Sequence, residues 1–350
     1  MKAVDHKCPN CNAVLMYNPK GKNWKCEYCS STFTLEDLEA NEAKFEKTKV
    51  DEKSVENLEM DEYTCSNCGA KIVADSNTAA TFCVYCKNTA ILKSRLTSKF
   101  APDKIIPFTK SKEDAIAAFK SIGKGKLFMP NEFSNTKNIN EIKGVYIPFW
   151  LYSCKARGRI KGTGTKVTSW STYDYHFTKT DTYEVEREKI IPFNNVPTDG
   201  STRFDDAIMN SIEPFDYNEL TDFNSSYLSG FLAERYDVEK ETAKVDSINR
   251  AKVTGYSAIM SDVPYTGFVR KEEEFKPIEE SITYALLPVY MVNIKYNDKF
   301  YTFAMNGETG KMIGDIPYSK SKALKYYILV FFISFIIIGL LGFLFLYFMA

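Results

Sequence analysis

The chain has 350 residues, with 45 Lys and Arg balanced by 45 Asp and Glu, so its formal net charge is zero. That balance excludes a global field that would draw the protein to nucleic acid or to an anionic surface. Only His6 and His176 are present, which argues against His-based hydrolysis and His-ligated metal catalysis.

The first third holds eight of the nine cysteines, as four Cys-x-x-Cys pairs: Cys8/Cys11, Cys26/Cys29, Cys65/Cys68 and Cys83/Cys86. Each cysteine of the second quartet follows its counterpart in the first by 57 residues, so the unit is duplicated. A Cys-x-x-Cys turn aims two thiolates at one point, and a second pair about fifteen residues on completes a tetrahedral thiolate site for zinc. Two zinc ribbons are predicted, at 1–34 and 63–92, each a knuckle, a short β-excursion and a second knuckle, with one zinc ion apiece. Gly69 suits the left-handed turn of a knuckle, with Asn12 as its counterpart. Disulfides are the competing chemistry. The polar start, Met1–Lys7, is no secretory leader, and four CxxC pairs are unlike a single redox motif.

In the first excursion, Lys20, Lys22, Trp24 and Lys25 interleave basic and aromatic character, a mixture that can contact phosphates and stack on bases. The equivalent stretch of the second unit, Lys71–Phe82, carries one Lys and one Asp, which weakens a nucleic-acid role. Between the units, 35–62 is rich in Glu, Asp and Lys. It is expected to be a short helix with a capping box at Thr34 and Asp37, followed by an acidic linker.

From 93 to 318 an α+β domain is expected: a β-rich antiparallel sheet with a few helices. Aromatic content is 14 %, with 22 Tyr and 25 Phe, in keeping with β-structure. Ile105–Phe108 leads into a helix capped by Ser111, burying Ala115, Ile116, Ala118 and Phe119. Lys143–Ile160 reads as a buried strand in which Cys154 is a small core hydrophobe. Gly162-Thr163-Gly164 reads as a turn. Thr172–Thr178 and Thr180–Ile191 read as amphipathic strands, with His176 on a wet face. Helices are predicted over Asp205–Ile212, Ser225–Asp237 and Val238–Val253. Tyr284–Tyr290 echoes Val145–Trp150, each an apolar start, a proline and aromatics. A meander follows, with turns at Asn297-Asp298 and Asn306–Gly310.

After a basic linker at 319–325, residues 326–349 carry no charge. At 1.5 Å per residue this run covers about 36 Å, enough for a bilayer core of about 30 Å. It is predicted to be a single-pass transmembrane helix, a tail anchor in the cell membrane. Lys311, Lys320, Lys322 and Lys325 precede it and nothing charged follows, so the bulk of the chain is expected to be cytoplasmic.

These features resemble the bacterial membrane-anchored proteins with an N-terminal double zinc ribbon, of the transcription-factor-IIB zinc-ribbon type and sometimes labelled primosomal helicase-like. The similar residues are the CxxC set, Ile105–Phe108, Gly144–Trp150, Ser211–Tyr217, Gly230–Asp237 and Tyr301–Gly307, so the resemblance spans nearly the whole chain. It implies an architecture rather than an activity. A helicase needs a Walker A loop, and Gly123-Lys124-Gly125-Lys126-Leu127 lacks both the first glycine at the right distance and the Ser or Thr. No Gly-x-Ser-x-Gly elbow, HExxH helix or dinucleotide fingerprint is present, and no small-molecule substrate is indicated. The expected function is that of a non-enzymatic, zinc-binding adaptor for a protein partner. The alternative is a membrane-tethered nucleic-acid binder using the first ribbon.

Overall fold

A computed structural model describes residues 7–11, 13–46, 60–65, 69–75, 83, 91–95, 101–135, 139, 141–203, 206–262 and 264–349. Asn12, Cys68, Cys86 and the acidic stretch 47–59 lie outside these residues. The fold is α+β, with a small sheet, a large mixed sheet, a few helices and an apolar C-terminal helix.

The small sheet is antiparallel: β1 (Leu15–Asn18), β2 (Asn23–Cys26) and β3 (Thr32–Phe33). Alternation sorts its side chains, with Leu15, Tyr17, Trp24 and Cys26 buried and Met16 and Lys25 exposed. Helix α1 (Leu35–Glu46) follows. As the sequence predicts, Thr34 Oγ1 accepts from Asp37 N at 3.2 Å while Asp37 Oδ2 accepts from Thr34 N at 2.9 Å.

The large sheet comprises β4 (Met60–Cys65), β5 (Lys71–Asp75), β6 (Ile91–Arg95), β7 (Lys104–Ile105), β8 (Lys143–Ser171), β9 (His176–Asp199), β10 (Thr221–Asp222), β11 (Leu232–Glu234), β12 (Gly267–Tyr296), β13 (Lys299–Asn306) and β14 (Met312–Ile313). Its order is β10-β7-β12-β8-β11-β5-β4-β6, with β9 on β8, β13 on β12 and β14 on β13. The remaining helices are α2 (Lys112–Gly123), α3 (Asp206–Ile212), α4 (Lys240–Met260) and α5 (Lys320–Met349).

One expectation about the sheet needs correction. It is mixed, not antiparallel, because β11 runs parallel to β8 and β7 parallel to β12. Each of these short strands returns to the sheet after a long excursion, which allows parallel entry. The strands of the second cysteine unit join this sheet, a point the sequence leaves open. β5 pairs with β11, Ala233 opposite Val73, so β4, β5 and β6 extend the large sheet.

The centre is the antiparallel pairing of β8 with β12. The two segments that echo each other in sequence are partners: Ile147 lies opposite Leu287, Pro148 opposite Leu286 and Tyr146 opposite Pro288. All of Val145–Tyr152 is buried, since both faces are covered. On one face Tyr146 and Trp150 join Phe108, Phe119, Phe231, Tyr284 and Tyr290; on the other, Ile147 and Phe149 join Met209, Ile212, Phe215 and Leu287. Gly144 permits the close stacking of Phe108 on Phe231, with centroids 4.2 Å apart, because a Cβ there would lie 2.5 Å from the Phe231 ring.

Beyond Tyr152 burial alternates. Cys154, Ala156, Gly158, Ile160, Gly162 and Gly164 face inward, while Lys155 and Arg157 are exposed. Helix α4 covers part of the inward face through Ala243, Ser247, Ala251 and Gly255, spaced by four, with Tyr256 and Ile259. The predicted turn at Gly162-Thr163-Gly164 is therefore mid-strand. Its glycines make room for rings across the sheet, since a Cβ on Gly162 would sit 2.5 Å from Phe268 and one on Gly164 2.8 Å from Tyr265. The chain reverses instead at Thr172–Tyr175, inside the predicted strand Thr172–Thr178, with Thr172 N donating to Tyr175 O at 2.8 Å. The predicted helix Ser225–Asp237 is a 3₁₀ turn over Ser225–Leu228 followed by β11. Gly230, at φ +85°, turns the chain into the strand.

One level of the sheet carries irregularities on both sides. β12 holds one extra residue between Ile278 and Ser281, opposite Cys154 of β8, and β9 one between Phe193 and Val196, opposite the adjacent Ser153. Asn195 N donates to Ser153 Oγ at 2.9 Å. Past this level the β8–β9 hairpin becomes an arm whose end, Trp170, Tyr173, Tyr175 and Phe177, is exposed.

Gly144→Ala should lower stability by about 1–3 kcal/mol through overpacking against Phe231, read as a lower urea midpoint for the detergent-solubilised chain. Tyr173→Ala at the arm tip should stay within about 0.5 kcal/mol.

Candidate metal centre

Cys8, Cys11, Cys26 and Cys29 converge, with their sulfurs all within 4.8 Å of one another. Cys8 Sγ lies 3.5 Å from Cys29 Sγ, and Cys11 Sγ lies 3.4 Å from Cys26 Sγ. A disulfide needs about 2.05 Å, so these contacts are not covalent. A tetrahedron with metal–sulfur bonds of about 2.3 Å has edges of about 3.8 Å, and the cluster is close to that size. The four thiols can hold one metal ion.

Two turns present the sulfurs. Cys8 N donates to Ala13 O at 2.7 Å, closing the first; Cys26 N donates to Ser31 O at 2.9 Å, closing the second, with Ser30 left-handed at φ +60°. Strand β2 then sets one turn beside the other, since Cys26 ends the strand opposite Leu15. Cys8 and Cys26 are buried, whereas Cys11 and Cys29 are more open.

The four thiols are unequal. Ser31 lies beside Cys29, Oγ to Sγ 3.2 Å, and its hydroxyl and backbone N–H favour the thiolate, pulling Cys29 down to about 6. Cys11 is pushed up to about 12: the Ala13 backbone hydrogen bond pulls it down, but burial together with the sulfurs of Cys26, Cys29 and Cys8 outweighs it. A cation entering the cluster displaces protons, and most firmly the one on Cys11. The sequence reading missed Ser31 and Asn10, whose Nδ2 donates to Ser31 Oγ at 2.9 Å. Their position, one inside each turn, was the available signal.

The second quartet is seen in part. Cys65 and Cys83 are buried, while Cys68 and Cys86 lie outside the described residues. The turn after Cys65 matches those of the first unit: Cys65 N donates to Ala70 O at 2.8 Å, and Gly69 is left-handed at φ +71°. Arg203 Nη2 donates to Gly69 O at 2.7 Å, tying this turn to the body. Among the described residues one four-thiol cluster is present.

The residues considered for nucleic-acid contact do not form an open face. Trp24 is 1 % exposed, its Nε1 donating to Ser226 O at 2.9 Å and its ring 5.3 Å from Tyr227 and 5.1 Å from Tyr17. It cannot stack on a base in this position. Lys22 pairs with Glu219 at 2.5 Å and Lys20 with Asp114 at 3.2 Å; Lys25 is exposed. Exposed pairs of this kind are worth at most about 1 kcal/mol, whereas burying a large aromatic side chain is worth about 1.5–3 kcal/mol. The rings therefore hold the unit to the body, and the lysines add little. Nothing local in the sequence marks Ser226 as the partner of Trp24, about 200 residues away.

The other candidates are quiet. Cys154 is buried with Tyr152, Ala156, Phe193 and Ala251, and burial raises its thiol. His176 is exposed at the start of β9, its Nδ1 2.7 Å from Ser171 Oγ.

What these parts define is a protein with a four-thiol centre on a mixed-sheet body and a C-terminal helix that is long and apolar enough to cross a membrane, over Lys320–Gly342 at mean hydropathy 2.4. Over 336 residues, 93 % of this chain and 93 % of the relative, it is 31 % identical to the "Uncharacterized protein YdjG" of Bacillus subtilis (strain 168), and it belongs to the same family. No protein-family model and no solved structure matches the chain.

Metal binding at pH 7.5 should release protons, seen as a dependence of calorimetric heat on buffer ionisation enthalpy. Apparent affinity should fall with acid, more steeply below about pH 6, where Cys29 also protonates. Ser31→Ala should move that steepening upward, because the thiolate loses its hydroxyl donor.

Proposed function

We propose that the protein is a tail-anchored zinc protein of the double-ribbon type, a non-enzymatic adaptor that holds a protein partner at the cytoplasmic face of a membrane. The observation that carries this reading is the four-sulfur centre: a closed thiolate set leaves no open position for substrate and suits a structural ion. All-thiolate tetrahedral donors favour zinc over hard cations.

A second zinc ion on Cys65, Cys68, Cys83 and Cys86 is supported by the 57-residue repeat and by the shared turn after Cys8 and Cys65. The anchor is residues 326–349, and the lysines ahead of it favour a cytoplasmic body. The resemblance to membrane-anchored double-ribbon proteins points the same way. For the partner surface, the arm is the favoured element: Trp170 and Phe177 stack at 5.5 Å yet remain about half exposed, and Tyr173 and Tyr175 project beside them. Clustered exposed aromatics of this kind mark protein-interaction sites. The nucleic-acid alternative rests on Lys25 and on lysines already paired with acids.

Metal analysis should find two zinc ions per chain, with Cys26→Ser losing one. A count of one would remove the second ribbon. A photo-crosslinker at Tyr173 in living cells should give a discrete protein adduct that Trp170→Ser abolishes. Absence of any adduct would remove the adaptor reading, and recovery of nucleic acid would favour the alternative.

A further inference from the structure

The loop after α2, dismissed above as a nucleotide loop, lies beside the start of α5. Ser319 N donates to Phe128 O at 2.7 Å, Lys322 Nζ donates to Met129 O at 2.6 Å, and the Phe128 ring meets the Tyr326 ring edge-on at 5.4 Å. Tyr326 is the first residue of the uncharged run. The contact therefore places Phe128 where the helix would enter the hydrocarbon boundary, the level at which tyrosines anchor membrane helices.

What the loop shows to solvent suits that level. Leu127 is 72 % exposed, and Lys120, Lys124 and Lys126 are exposed around it. Gly125, at φ +81°, turns the chain so that Lys124 and Lys126 flank the bend, and Lys126 N donates to Gly123 O at 3.2 Å. Lys320 and Lys325, exposed on α5, add charge of the same sign. None of these five lysines forms an ion pair among the described residues.

We propose that the 124–128 loop is a membrane-docking surface: Leu127 and Phe128 enter the interface of the leaflet beside α5, and Lys120, Lys124 and Lys126 bind anionic lipid headgroups. The occupant is a lipid surface and not a protein because the loop is continuous with the helix that would cross that surface, and its charge complements anionic lipid. The inference rests on the anchor reading and adds a second contact, about 200 residues away in sequence, that fixes the tilt of the body. Near an anionic leaflet each lysine contributes about fivefold in surface affinity, screened by salt.

The test uses the full chain in nanodiscs of phosphatidylcholine alone or mixed two to one with phosphatidylglycerol, read by hydrogen exchange of the peptide covering 121–129. Carbonate-resistant flotation with vesicles of the same lipids reports insertion of α5 separately. The expected result is insertion in both lipids, with exchange of the peptide several-fold slower in the anionic discs. The difference should shrink in high salt and vanish in the Lys124→Glu/Lys126→Glu variant, whose substitutions are on exposed positions. Equal exchange in the two discs, with the helix inserted, overturns the docking surface and leaves the anchor standing. A chain stripped from both vesicle types by carbonate overturns the anchor and this inference with it.

Discussion

The fold depends on one strand pairing. Val145–Tyr152 and Tyr284–Val289 lie side by side with side chains buried on both faces, and nearly everything else is placed by contact with them. β11 joins β8 at Val145 and carries the strands of the second cysteine unit; β7 joins β12 at Ala285 and leads into α2. The aromatic layer above this pairing includes Phe231, which also meets Tyr17 at 6.4 Å, so the first cysteine unit is held by the same core. The echo between the two proline-containing segments has a physical basis in this arrangement. Each must be apolar throughout because each is covered on both sides, and their antiparallel partnership is nearly symmetric about Ile147 and Leu287.

What could be read directly was local. Cysteine spacing, the Ser111 and Thr34 caps, the Asn297-Asp298 hairpin turn with both residues at positive φ, and the uncharged helix each carry their signal within a few residues. Apart from the reversal at Thr172–Tyr175, which is local, the misreadings involve partners distant in sequence. Gly162 and Gly164 look like a turn unless Phe268 and Tyr265 are known to lie over them. Tyr227, Leu228 and Phe231 recur at helical spacing, yet they are gathered into the core by a 3₁₀ turn and a strand, and Gly230 breaks the register between them. Trp24 has the look of a stacking residue until its ring is placed against Tyr227.

That placement changes how the first unit works. A four-thiol cluster whose neighbouring Trp24 is spent on internal packing is attached to the body, although Tyr28, between Cys26 and Cys29, stays exposed. With Trp24 and Tyr17 interlocked with Tyr227, the four thiols and the sheet body form one packed structure. Metal occupancy and the integrity of that contact are then thermodynamically linked.

The paired irregularities opposite Ser153 and Cys154 have a mechanical meaning. Three long strands run as one ribbon, and extra residues in both outer strands at the same level concentrate twist and bend there. The ribbon changes heading at that line, and α4 braces it beyond by packing Ala251, Tyr256 and Ile259 along β8. Torque applied at the aromatic tip would pass through that line into the central pairing and on along β12 to Tyr296. Tyr296 packs on Phe133 in the same core as Ile316, four residues before the C-terminal helix. The far end of the arm and the segment that leads into the apolar helix are thus joined through β12 and one packed core.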